Sequence, residues 1–98
     1  MIKSATALAP ETRLVRKTGL PSTVVDSDIV VLNIVTQKYI GLDEIGGELW
    51  ELLAQPQRID DLCRAMCDRY DGSSDEIAAD VLSFLGELRN EGLIEVVA

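Results

Sequence analysis

Histidine is absent from this 98-residue chain, which removes the commonest general base and the commonest metal ligand together. Cysteine occurs only at Cys63 and Cys67, too few for the disulfide framework of a small secreted domain. Bases are scarce as well. Nine Lys and Arg stand against 17 Asp and Glu, a formal net charge of −8, which is a poor match to a phosphate backbone. The longest near-continuous apolar stretch, Ile29–Val35, is broken by Asn33 and falls far short of a membrane span. The first ten residues, MIKSATALAP, lack the apolar core of a secretory signal. No Gly-rich phosphate loop, nucleophile elbow or metal motif occurs. These absences predict a cytoplasmic binding module that is not an enzyme, needs no cofactor or metal, and touches neither nucleic acid nor membrane.

What is present suits one folded domain, with 47% hydrophobic and 27% charged residues. Residues 1–21 mix charges with Pro10, Gly19 and Pro21 and are expected to form an N-terminal extension, extended in part at Thr12–Lys17. From Ser22 the pattern sharpens. Ser22–Asp26 and Ile29–Val35 are β-branched runs on either side of Asp26-Ser27-Asp28 turn chemistry. Thr36-Gln37 then makes a tight link to a third strand, Lys38–Leu42. Three strands so briefly joined predict an antiparallel meander.

After Leu42 the period turns helical. Asp43 is placed to cap a helix whose apolar positions are Ile45, Leu49, Leu52 and Leu53, with Trp50 on the flank and Pro56 as the stop. Gly46-Gly47 costs helix propensity, up to about 1 kcal/mol each, and predicts close packing against the sheet. A second helix over Ile59–Tyr70 carries the stripe Ile59, Leu62, Cys63, Met66, Cys67 and Tyr70. The third opens with a capping box, Ser73 to Glu76, and ends in a Schellman-like Gly92-Leu93. Its core stripe is Ile77, Val81, Phe84, Leu85 and Leu88. Leu93–Val97 is a short tail able to join the sheet or cover the core. The expected fold is α+β and winged-helix-like, a three-stranded antiparallel sheet followed by three helices.

Candidate chemistry gives way to simpler readings. The two cysteines share one helix face and could hold a soft metal, but they lie on the apolar stripe without further ligands, where free cysteine behaves as a small hydrophobe. The carboxylates fall mostly on polar helix faces. A regulator of winged-helix type is the competing reading, yet the third helix offers Asp75, Glu76, Asp80 and Glu87 against Arg89 alone, where a major-groove reader needs Arg, Lys, Asn or Gln. What remains is a wide apolar arc on that helix, extended by Ala78 and Leu82, beside the edge strand Lys38–Leu42. An extended peptide could add there as a further strand, its side chains in the groove. Tyr39 would supply an amphipathic contact and Gly41 a close backbone approach.

The succession VVLN…KYIGLDEIGGELWELL, IDDLCRAMCDRY and DEIAADVLSFLGELRNEGLI resembles the family of coenzyme PQQ synthesis protein D. These PqqD-like domains recognise precursor peptides in pathways to ribosomally made, post-translationally modified products. The resemblance covers Ser22–Val97, within a domain set at residues 22–98. Its most specific pieces are Tyr39–Asp43, the Trp50–Leu53 helix and Asp80–Ile94, and the Tyr39–Leu53 stretch looks most like the stand-alone leader-binding proteins of lasso-peptide pathways. The resemblance implies a non-catalytic protein that binds a leader segment as an added strand and delivers it to a modifying enzyme, such as a leader peptidase, cyclase or radical enzyme. It implies a binding wall at Lys38, Tyr39, Ile40 and Gly41, with Asp80, Val81 and Phe84 on the third helix. The residues themselves favour the Ala78, Leu82 and Leu85 flank, so both flanks are candidates.

Overall fold

The computed structural model describes residues 9–26 and 28–97. Ser27 of the expected turn, residues 1–8 of the N-terminal extension, and Ala98 lie outside them. Two small antiparallel sheets and three helices enclose one core, an α+β arrangement.

The expected meander is one of the sheets. β2 (Ser22–Val25), β3 (Asp28–Asn33) and β4 (Lys38–Leu42) pair in that order, with β3 in the middle. Val31 faces Ile40 and Ile29 faces Leu42 across the β3–β4 ladder. Because side chains alternate along a strand, these four turn to the helices, where Val31 and Leu42 are buried and Ile29 and Ile40 pack on the core. Val30, Leu32, Tyr39 and Gly41 belong to the outer face. The β3–β4 link corrects the expected two-residue connection: Ile34–Gln37 form a four-residue turn with Gln37 at φ 59°. The reason is Asn33, whose Oδ1 accepts the Val35 and Thr36 N–H groups while its backbone carbonyl accepts from Gln37. An asparagine side chain here builds the turn that Gly or Pro would otherwise favour.

The second sheet corrects the single-sheet expectation. β1 (Arg13–Arg16) lies between β5 (Gln57–Arg58) and the tail strand β6 (Ile94–Val97). The tail therefore pairs with the N-terminal segment and not with the meander. Leu14, 0% exposed, enters the core from β1. The same segment completes α2 (Ile59–Arg69), whose cap residue Arg58 offers its backbone N–H groups no side-chain acceptor. Instead the carbonyls of Thr12 and Pro10 accept the N–H groups of Ile59 and Asp60, donors that a helix start otherwise leaves unpaired.

In α1 (Glu44–Leu52) Asp43 caps through Gly46 N–H at 2.8 Å, as expected. Its buried stripe is rotated from the expected one, with Trp50 2% exposed in the core and Ile45 43% exposed. Arg16 lies against the buried indole, its guanidinium 5.2 Å from the ring centroid, and donates to the Trp50 carbonyl. In α2 the expected core thiols are half-buried, Cys63 packing on the core, and burial pushes the Cys63 thiol up. Helix α3 (Ser74–Asn90) has both expected ends. Ser73 Oγ accepts from Glu76 N–H, and past the cap Gly92 (φ 74°) and Leu93 donate to the Arg89 and Leu88 carbonyls.

Candidate peptide groove

Among the described residues β4 has a partner on one side only, and its other edge is unpaired. Which groups it presents there follows from the ladder. Leu32 N–H donates to the Pro21 carbonyl, on the β2 side. Backbone groups of successive residues point to opposite sides of an antiparallel strand, so Leu32 and Val30 turn toward β2, and Ile29, Val31 and Asn33 toward β4. Tyr39 and Gly41, opposite Leu32 and Val30, therefore direct their N–H and C=O groups out of the sheet. Lys38, Ile40 and Leu42 spend theirs on β3.

Beside this edge, Ile40, Gly41 and Leu42 face Phe84, Glu87, Leu88 and Glu91 of α3 and its cap across a groove of about 260 Å³. Past the Phe84 ring lies a second hollow of about 240 Å³, between α1, α2 and α3. Its walls include Ile45, Leu49, Met66, Ile77 and Val81, with the Asp43 and Asp80 carboxylates among them. Phe84 lines both. Its ring is seated by a missing side chain, because a Cβ at Gly46 would come within 2.9 Å of Phe84 Cε1. Gly47 makes the corresponding approach to β3, 3.3 Å from Ile29 Cδ1. The glycine pair thus packs against a helix on one side and the sheet on the other.

The structure brings Ile40, Gly41, Asp80, Val81 and Phe84 to these two hollows. It sets the other candidates elsewhere. Tyr39 is 75% exposed on the outer face, over a shallow depression shared with Pro21, Val30 and Leu32. Lys38 heads β4 and lines neither hollow, and Ala78 and the exposed Leu82 line neither. Leu85 is fully buried in the core. Sequence reading passed over Asp43, Gly46, Glu87 and Glu91. For Glu87 and Glu91 there was a positional signal, since residues 80, 84, 87 and 91 fall on one helical face; Asp43 and Gly46 come from the start of α1, which spacing along α3 does not reveal.

At the far end of the first groove, Asn33 Nδ2 donates to the Glu91 carbonyl at 2.6 Å, tying strand and helix together. In the second hollow the Tyr70 hydroxyl is buried and lacks a hydrogen bond of ordinary geometry. Burial and then the Glu48 carboxylate push its titration up. Among the described residues no cluster of three or more Cys, Asp or Glu could hold a metal, and no helix is long and apolar enough to cross a membrane.

Residues 28–94, about two thirds of the chain, match the family model for coenzyme PQQ synthesis protein D. The chain belongs to the PqqD family. The matched span of this PqqD-family chain begins at β3 and takes in β4, all three helices and the first residue of β6. Among solved structures it is similar to TbiB1 in complex with the TbiA(beta) leader peptide. The two share 30% identity over 86% of this chain and 98% of that one, at a TM-score of 0.75. No curated protein sequence matches the chain.

Proposed function

We propose that this PqqD-family chain is a non-catalytic, cytoplasmic recognition protein for the leader segment of a ribosomally made precursor peptide. The leader adds as a strand to β4, lays side chains against α3, and is handed to a modifying enzyme such as a leader peptidase or cyclase. One observation carries the reading: the outward N–H and C=O groups of Tyr39 and Gly41 border a largely apolar groove. Main-chain pairing at an open edge supplies affinity, and a groove beside it supplies selectivity. The complex of TbiB1 with a leader peptide, at 30% identity, supports it. The Phe84 face of α3 is the flank proposed to meet the leader, in preference to the Ala78 and Leu82 flank.

The test is an amide NMR titration with the leader peptide encoded beside this chain's gene. Saturable shifts are expected along residues 38–42 and 80–91, with Leu82→Asp binding like the unaltered protein. Gly41→Pro removes an outward donor and is expected to keep the folded spectrum while losing the shifts. Absence of shifts at high micromolar peptide overturns the reading, and an unimpaired Gly41→Pro overturns the strand-addition geometry.

A further inference from the structure

The two hollows are lined by charge of one sign. Four carboxylate residues, Asp43, Asp80, Glu87 and Glu91, line them, and neither has a Lys or Arg in its lining. Arg16 and Lys17 line a separate depression beside Trp50 with no carboxylate among its walls, and a Cβ at Gly92 would lie 4.0 Å from Lys17 Nζ. Asp80 and Glu87 are exposed and bracket Phe84 on one helical face. Seven residues of helix separate them by about 10 Å along the axis. Side chains on one face of an extended peptide recur every 6–7 Å or so, so positions two and four residues apart, at about 7 and 13 Å, bracket that interval within the reach of long side chains.

We infer that the peptide bound in this groove is basic: it carries Lys or Arg at alternating positions that face α3, two or four residues apart. The inference rests on the strand-addition reading and adds the substrate's chemical class. A long cationic side chain suits the hollow past Phe84, because its methylene stem lies on apolar wall while its head reaches a carboxylate. Ile45, Ile77 and Val81 supply the wall, and Asp43 and Asp80 the acceptors. The Phe84 ring adds a face that attracts a cation. An acidic or purely apolar segment would leave these carboxylates to be desolvated without compensation.

A phage-displayed library of random dodecapeptides, panned on the full chain, tests this. Selected peptides are expected to carry Lys and Arg at about twice their library frequency or more, at same-parity positions within an apolar extended pattern. The double variant Asp80→Lys, Glu87→Lys is expected to lose that enrichment. A second double variant, Asp68→Lys with Glu95→Lys, changes net charge equally at residues that line neither hollow, and is expected to keep it. Basic enrichment that survives in the first variant, or vanishes in both, reflects overall charge and overturns the inference. Extended apolar peptides without Lys or Arg overturn it while leaving strand addition standing. Recovery of no peptide at all overturns both.

Discussion

The two sheets of this protein have the same number of strands and opposite employment. In one, β1 is sandwiched between β5 and β6 and brings Leu14 into the core beside Leu93 and Ile94. Its neighbours in sequence also close off α2, through the Thr12 and Pro10 carbonyls. In the other, β4 leaves a row of backbone groups unshared beside a groove, and the turn before it carries Val35 at 92% exposure. The first sheet joins the two ends of the described chain and holds the body together. The second spends its inner face on the core and leaves the β4 edge unpaired among the described residues. Both central strands bury one side chain completely, Leu14 and Val31, so what separates the sheets is what each strand order ties together.

Breaking the first sheet should have the largest effect. Leu14→Ala removes a fully buried side chain and is expected to cost 2–5 kcal/mol or so, read as a lowered urea midpoint. If the loss were well under 1 kcal/mol, β1 would not be the clasp described. Gly46→Ala sharpens the contrast from the other side. The new methyl group meets Phe84 Cε1 at 2.9 Å and Asp43 Oδ1 at 3.2 Å, while helix propensity improves by about 1 kcal/mol. Stability is expected to change by less than about 1 kcal/mol, and leader affinity to fall several-fold as the Phe84 ring is displaced. A variant that loses stability and affinity in equal measure would contradict this separation. The smallest effect is expected at Arg58–Asp60, a 2.8 Å pair at the start of α2. The Arg58 hydrogen bond holds the Asp60 carboxyl below its ordinary range. Its contribution is therefore present above that range and lost as pH falls through the folded-state value. Asp60→Asn should flatten the acid limb of the stability–pH curve slightly, and an unchanged limb would remove the pair from consideration.

The meander strands, the three helices and the caps of α1 and α3 were legible because each is encoded locally; the start of α2, closed by the Thr12 and Pro10 carbonyls, was not. Ser73, Glu76 and Gly92 declare the ends of α3 within a few residues of where they act. β1 was not legible to the same degree, because a four-residue strand with two Arg and one inward Leu carries little periodic signal, and its partners lie in distant parts of the chain. The α1 stripe was misjudged for a related reason. Trp50 packs in the core and meets Arg16 of β1, contacts that no periodicity within α1 can register. For the groove, the β4 edge could be read from pattern alone, whereas Phe84, which the pattern set on the core stripe, was offered as a wall residue by the family resemblance. The division of β4 into inward and outward residues depended on register, and so did the position of Tyr39 on the far face.

Asn33 lies where an apolar residue would satisfy the strand pattern, and its 2.6 Å bond to the Glu91 carbonyl has a mechanical consequence. The two walls of the groove are pinned at that end, like the blades of shears at their rivet. Toward Asp43 and Asp80 the walls meet by packing around Phe84 instead of by a direct bond. On the strand-addition reading proposed above, peptide side chains nearest Asn33 would face the more firmly tied end of the slot.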